Sequence, residues 1–172
     1  DVFDKIKKKS DGELFKEVPG KMREAIMSFL LVIAIRNLRG QKNEHNSMLI
    51  HTTRFKDVQS KIKEEIASYF EGLRNELYFN QDGEVVALLE NLYQTDFIET
   101  SIQWNRDEKL FGWIEVYSEI KRFIEKIQIM EINGNSADVL AYHHYKEQGL
   151  NVIAVGGDKL SRGLTLEGLS IT

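Results

Sequence analysis

Three stretches of this chain stand where a parallel sheet would receive a ligand, and one of them holds residue types suited to gripping a phosphate. That one is Gly156-Gly157-Asp158-Lys159-Leu160-Ser161-Arg162-Gly163. Its glycines let backbone approach a ligand closely. Lys159 and Arg162 would bring charge, the arginine in a planar fork that matches phosphate oxygens. The spacing meets neither GxxxxGK[ST] nor GxGxxG, so a glycine-rich connection with solvated basic tips explains the residues equally well. A second stretch, His51-Thr52-Thr53-Arg54-Phe55, offers two hydroxyls and a guanidinium. The third, Asn133-Gly134-Asn135-Ser136, is a polar turn.

Other chemistries fit less well. Asp107 followed by Glu119-Ile120-Lys121 imitates the carboxylate set of a metal nuclease, which needs several oxygens converging on Mg²⁺. That pattern normally sets its Glu-x-Lys on a strand, and the apolar spacing from Trp113 to Ile127 is helical. His45-Asn46 and His51 imitate a His-Asn-His nuclease at the wrong spacing. His143-His144 are adjacent on an expected helix, so their side chains point about 100° apart and cannot pinch a metal as an i, i+4 pair does. No nucleophile elbow and no Ser-His-Asp set is found. Trp104 and Trp113 have faces on which bases stack, although core packing or a partner surface uses such residues more often.

The elements that must position these residues follow from periodicity. Lys21–Leu38 repeats apolar residues at helical spacing after Pro19, with Leu31, Val32 and Ile35 making it apolar nearly all round. Ser47–Thr53, Ile127–Gly134 and Asn151–Gly157 read as short buried strands, and Leu169–Thr172 begins a fourth. Phe55–Leu77, Val85–Tyr93 and Trp113–Ile127 read as helices, the last two joined by an irregular acidic stretch. Ser136 to Gly149 reads as a helix with a serine cap and a glycine stop. Strands alternating with helices predict an α/β fold with a mainly parallel sheet. In such sheets ligands sit beyond the carboxyl ends of the strands, which brings the three stretches to one edge. Residues 1–19 read as a linker or frayed helix, and about 80–115 as an acidic helical insertion between the first two strands.

Composition bounds the rest. The 172 residues suit one domain, and 42% hydrophobic content supports a core. There is no cysteine, which excludes disulfides and thiolate metal sites. No secretory leader is visible, and Phe29–Ile35 falls far short of the roughly 20 apolar residues of a membrane span. A cytoplasmic protein with no membrane partner is the expectation. The chain begins at Asp1 without methionine and stops in an apolar stretch, as an excised piece of a longer protein would. The net charge of -4 conceals an asymmetry. Arg36–Lys63 holds seven basic residues against two acidic ones, and Glu64–Glu125 holds fourteen acidic against five basic. The first zone suits a polyanion, the second a solvated face or a partner surface.

The order MLIHTTRF, QIMEINGN, NVIAVGGDKLSRGLTLEGLSIT resembles the second RecA-like lobe of superfamily 2 helicases. More narrowly, SMLIHTTRF with VIAVGGDKLSRGLTLEGL is similar to the Z1 domain family, described as candidate endonucleases related to DNA-dependent ATPases. The likeness runs from about Pro19 to Thr172. It implies that Thr52, Thr53, Arg54, Asn133, Gly134 and Lys159 face nucleic acid, with DNA the expected form. It implies that Gly156, Gly157, Ser161, Arg162, Gly163 and Thr165 face nucleotide. ATP and Mg²⁺ would then serve the full-length protein, and a first RecA-like lobe of the same chain would complete the site. Helicases of the wider class carry aspartate where Thr165 stands, which weakens the transfer of a role to that position. The phosphate-binding lysine and metal-holding carboxylates belong to the first lobe, and the arginine finger would follow the fourth strand, beyond Thr172. This stretch alone is therefore expected to be catalytically silent, with no cofactor and no catalytic or metal-binding residue of its own. A restriction-associated, DNA-processing ATPase is the parent that the resemblance suggests. The alternative is a non-catalytic module that binds a protein through the acidic insertion.

Overall fold

The computed structural model describes residues 15–52, 55–104, 109–132, 142–157 and 165–172. Helix α1 (Gly20–Leu38) starts after Pro19, whose carbonyl accepts the amides of Met22 and Arg23. Proline is already fixed near its φ of -60° and suits this position. Gly40, at φ +90°, ends the helix in the left-handed conformation that glycine adopts freely. Strand β1 (Asn46–His51) follows, then α2 (Lys56–Phe79). Val58, Ile62, Ile66, Phe70, Leu73 and Leu77 form its buried stripe.

The insertion then folds as α3 (Glu84–Leu92), a π-helical segment (Tyr93–Ile98), α4 (Glu99–Trp104) and α5 (Trp113–Phe123). The stretch after Tyr93, expected to be irregular, is thus helical as far as Trp104. The helix expected from Trp113 to Ile127 ends at Phe123. One 3₁₀ turn (Ile124–Lys126) then leads straight into β2 (Ile127–Ile132). Of the helix expected over Ser136–Gly149, the described part shows a 3₁₀ turn at Tyr142–Tyr145, and its start lies outside the described residues. Strands β3 (Asn151–Gly156) and β4 (Leu169–Ile171) complete the sheet.

The four strands are all parallel, in the order β2-β3-β1-β4. β3 lies between β1 and β2, and alternate residues of it enter two cores. Ile153 and Val155 join α1, α2, α3 and α5 in the larger one. Val152 and Ala154 join Ile132, Tyr142 and Leu150 on the other face. A strand buried on both faces is apolar, as this one is from Val152 onward. No helix among the described residues is long and apolar enough to cross a membrane.

Candidate nucleic-acid and nucleotide interface

The parallel register sets the ends of three strands level. His51 pairs with Gly156, and Ile132 pairs with Gly156 from the other side. The stretches after β1, β2 and β3 therefore leave the sheet at one edge, as the strand pattern predicts. Here Thr52 is buried, and its amide donates to the Gly156 carbonyl at 2.7 Å. Its hydroxyl reaches the same oxygen at 3.3 Å. Thr52 thus ties β1 to β3 at the point where both strands stop. Gly157 is buried just beyond, and His51 is exposed beside it. Thr53, Arg54, Asn133, Gly134, Lys159, Ser161, Arg162 and Gly163 lie outside the described residues. Thr165 is exposed, two residues ahead of Glu167, which belongs to the opposite edge of the sheet.

That opposite edge is closed by a polar network that sequence reading missed. Arg36, near the end of α1, donates to the His45 carbonyl at 2.9 Å and to Asn46 Oδ1. Asn46 Nδ2 donates to Asn151 Oδ1 at 2.8 Å, joining the starts of β1 and β3. His45 Nδ1 accepts the Leu150 amide at 3.0 Å, which leaves the ring proton on Nε2, 3.7 Å from Glu167 Oε2. The Ser47 hydroxyl, fully buried, bonds Tyr142 Oη at 2.7 Å and the Glu167 carbonyl at 2.7 Å. Burial pushes the Tyr142 phenol above its ordinary value, and the bond to Ser47 pulls partly the other way. Gly168 sits at φ +67°, where an added Cβ would meet the His45 carbonyl oxygen at 1.8 Å. The glycine of the LTLEGL stretch is therefore required by packing.

This geometry corrects the charge reading. The basic zone from Arg36 to Lys63 is not one patch. Arg36 is bound at the closed edge, and Arg39 and Lys42 lie on the turn that leads into β1 there. Lys56, Lys61 and Lys63 lie on the first two turns of α2, which starts just past the carboxyl end of β1. The six residues of β1, about 20 Å of extended chain, separate the two groups. Lys61 is engaged by Glu65 at 2.8 Å.

The nuclease imitation dissolves. Glu119 is buried on α5, taking Asn37 Nδ2 at 3.0 Å and Arg122 Nη1 at 3.1 Å, and so joins α5 to α1. Lys121 lies over the Tyr117 ring instead, and Asp107 lies outside the described residues. No group of three histidine or acidic side chains among the described residues is placed to hold a metal. His143 and His144 are exposed on the 3₁₀ turn. Trp113 packs between Tyr93 and Tyr117, whereas Trp104 is exposed.

No curated protein and no solved structure matches this chain. The Z1 domain profile matches residues 21–172, nearly the whole length, and takes in α1, all four strands and the helical insertion. On that match, the chain belongs to the Z1 domain family.

Proposed function

We propose that this domain is the second lobe of a bacterial, helicase-like, DNA-processing ATPase, and that it meets nucleic acid and nucleotide along the carboxyl edge of its sheet. The observation that carries the reading is the level ending of β1, β2 and β3, where parallel sheets receive ligands. Thr53 and Arg54 would face the nucleic-acid backbone, with Asn133, Gly134 and Lys159 beside them; Thr52, expected to join them, is buried and holds β1 to β3 behind that surface. The stretch from Gly156 to Gly163, with Ser161 and Arg162, would face nucleotide; Thr165 stands too close to the amino edge to share that role. Lys56 and Lys63 on α2 add positive charge to that side.

The residues present do not fit ATP and Mg²⁺ as a complete site. The sequence has no GxxxxGK[ST] loop, and no metal-holding cluster is found among the described residues. Phosphoryl transfer needs both a phosphate cradle and a metal clamp, so this domain would supply only one wall of a site shared with another lobe. The chain by itself is expected not to hydrolyse ATP. Endonuclease activity has no carboxylate set among the described residues to support it and is not part of the proposal.

The test is titration of the chain with a fluorescent duplex DNA at several salt concentrations. Binding should weaken steeply with salt, with a log–log slope near -0.9 for each phosphate neutralised. DNA binding that is absent at low salt, or indifferent to salt, contradicts the proposal.

A further inference from the structure

The start of α1 and the insertion do not close on each other. A cavity of about 440 Å³ remains between the first two turns of α1, the last turn of α3 and the π-helical segment. That volume lies in the range of small-molecule sites. Gly20 opens α1 there without a side chain, and a Cβ added to it would meet no atom within 4 Å. The far wall is a π turn, a rare element that recurs at functional sites.

The walls are fixed by bonds made outside the cavity. Tyr93, which begins the π-helical segment, is buried and donates its hydroxyl to the Phe111 carbonyl at 2.6 Å. On the α1 side, Arg23 Nε donates to the Val18 carbonyl at 2.7 Å, Nη2 meets Glu17 at 3.3 Å, and the guanidinium lies 5.5 Å over the Tyr69 ring. Met27 and Leu92 line the cavity from the larger core, and Leu88 joins them while 50% exposed. The lining is thus an apolar floor held between two anchored walls.

Charge selects the occupant. Three lining residues carry charge, and two of them are already paired. Arg23 is engaged by Glu17, and Glu24 by Lys21 at 2.9 Å. Asp96 has no ion pair among the described residues. The one hydrogen-bonding contact of its carboxylate there, 3.4 Å from the Thr95 hydroxyl, is long, because that hydroxyl already donates to the Asn91 carbonyl at 3.0 Å. Thr95 and Asn91 line the same wall, so a hydroxyl oxygen and an amide oxygen stand with the carboxylate.

We propose that this cavity binds a small primary ammonium with an apolar body. The body lies on Met27, Leu88 and Leu92, and the three N–H donors of the head meet the Asp96 carboxylate, the Thr95 hydroxyl oxygen and the Asn91 amide oxygen. The probe is phenylbutylammonium, followed through the amide NMR shifts of the chain, with phenylbutanol and phenylbutyrate as its neutral and anionic counterparts. The ammonium should shift Gly20, Leu92 and Thr95 and bind at least about fivefold more tightly than the alcohol, with the carboxylate weakest. Asp96→Asn should erase that preference. Glu99→Gln makes the same charge change at an exposed residue outside the cavity and should keep it. Leu88→Lys places a competing ammonium at the cavity and should weaken the probe at least about tenfold. The proposal is overturned by equal binding of ammonium and alcohol, by equal losses from Asp96→Asn and Glu99→Gln, or by a lack of shifts at the cavity. No lining residue belongs to the carboxyl edge of the sheet, so failure here leaves the salt-dependent DNA titration untouched.

Discussion

The two edges of the sheet are built from the same strands and differ in almost every polar detail. At the amino edge, Arg36, His45, Asn46, Ser47, Tyr142, Asn151 and Glu167 consume one another's hydrogen bonds. At the carboxyl edge, the described ties include the two bonds from Thr52 to one carbonyl and the bond from the Ser60 hydroxyl to Glu131, next to an exposed histidine and two glycines. An edge whose polar groups are paired internally has few left for a ligand. An edge with glycines and unburied polar residues has them to offer. The difference teaches that the amino edge is a lock and the carboxyl edge a candidate binding surface. Substitutions at the first should therefore cost stability, and at the second, binding.

The largest stability effect is expected at Gly168. Replacing it with alanine sets a Cβ against the His45 carbonyl in a backbone conformation that L residues avoid, and should destabilise the domain by about 3 kcal/mol or more. Urea unfolding measures this, and a loss below about 1 kcal/mol breaks the lock. Ser47→Ala comes next. It strips a buried partner from Tyr142 and from the Glu167 carbonyl, at an expected cost of about 1–3 kcal/mol. Alkaline pH should act more gradually. Tyr69, Tyr93, Tyr117 and Tyr142 all have phenols raised above the ordinary 10.0 by burial first. A raised folded-state value means that the unfolded chain releases its protons first. The stability present below pH 10 should then be lost as pH climbs through the folded-state values. Stability measured from pH 8 to 11 should fall only in the upper part of that range. The smallest stability effect is expected at the carboxyl edge. Thr52→Val keeps the amide bond and loses a weak hydroxyl contact, for under about 1 kcal/mol.

Much of the fold was legible in the sequence because apolar periodicity survives any tertiary context. The runs Ser47–Thr53, Ile127–Gly134 and Asn151–Gly157 all carry strands, and their parallel arrangement follows from the helices between them. The segment after Tyr93 was less legible. Gln94, Thr95 and Asp96 are polar residues of modest helix propensity, and their helicity continues from α3 without a break. Gly168 was legible as a motif glycine but not as a packing requirement, since the carbonyl that excludes a side chain lies more than a hundred residues earlier. The basic zone misled for a related reason. Residues close in sequence on either side of a strand stand at opposite ends of it. Arg36 and Lys56 share a charged window in the chain and no surface in the fold.

That separation supplies the most direct test of the central claim. Arg54 follows β1 at the carboxyl end, and Lys42 is exposed on the turn before β1 at the amino end. Duplex DNA binding would be compared for the natural chain, Arg54→Glu and Lys42→Glu across a salt series. Both variants make the same charge change, so net charge alone cannot distinguish them. Arg54→Glu is expected to weaken binding at least about tenfold and to lower the salt slope by about one phosphate contact, with Lys42→Glu close to the natural chain. Equal losses from the two variants, or a greater loss from Lys42→Glu, would contradict a binding surface at the carboxyl edge.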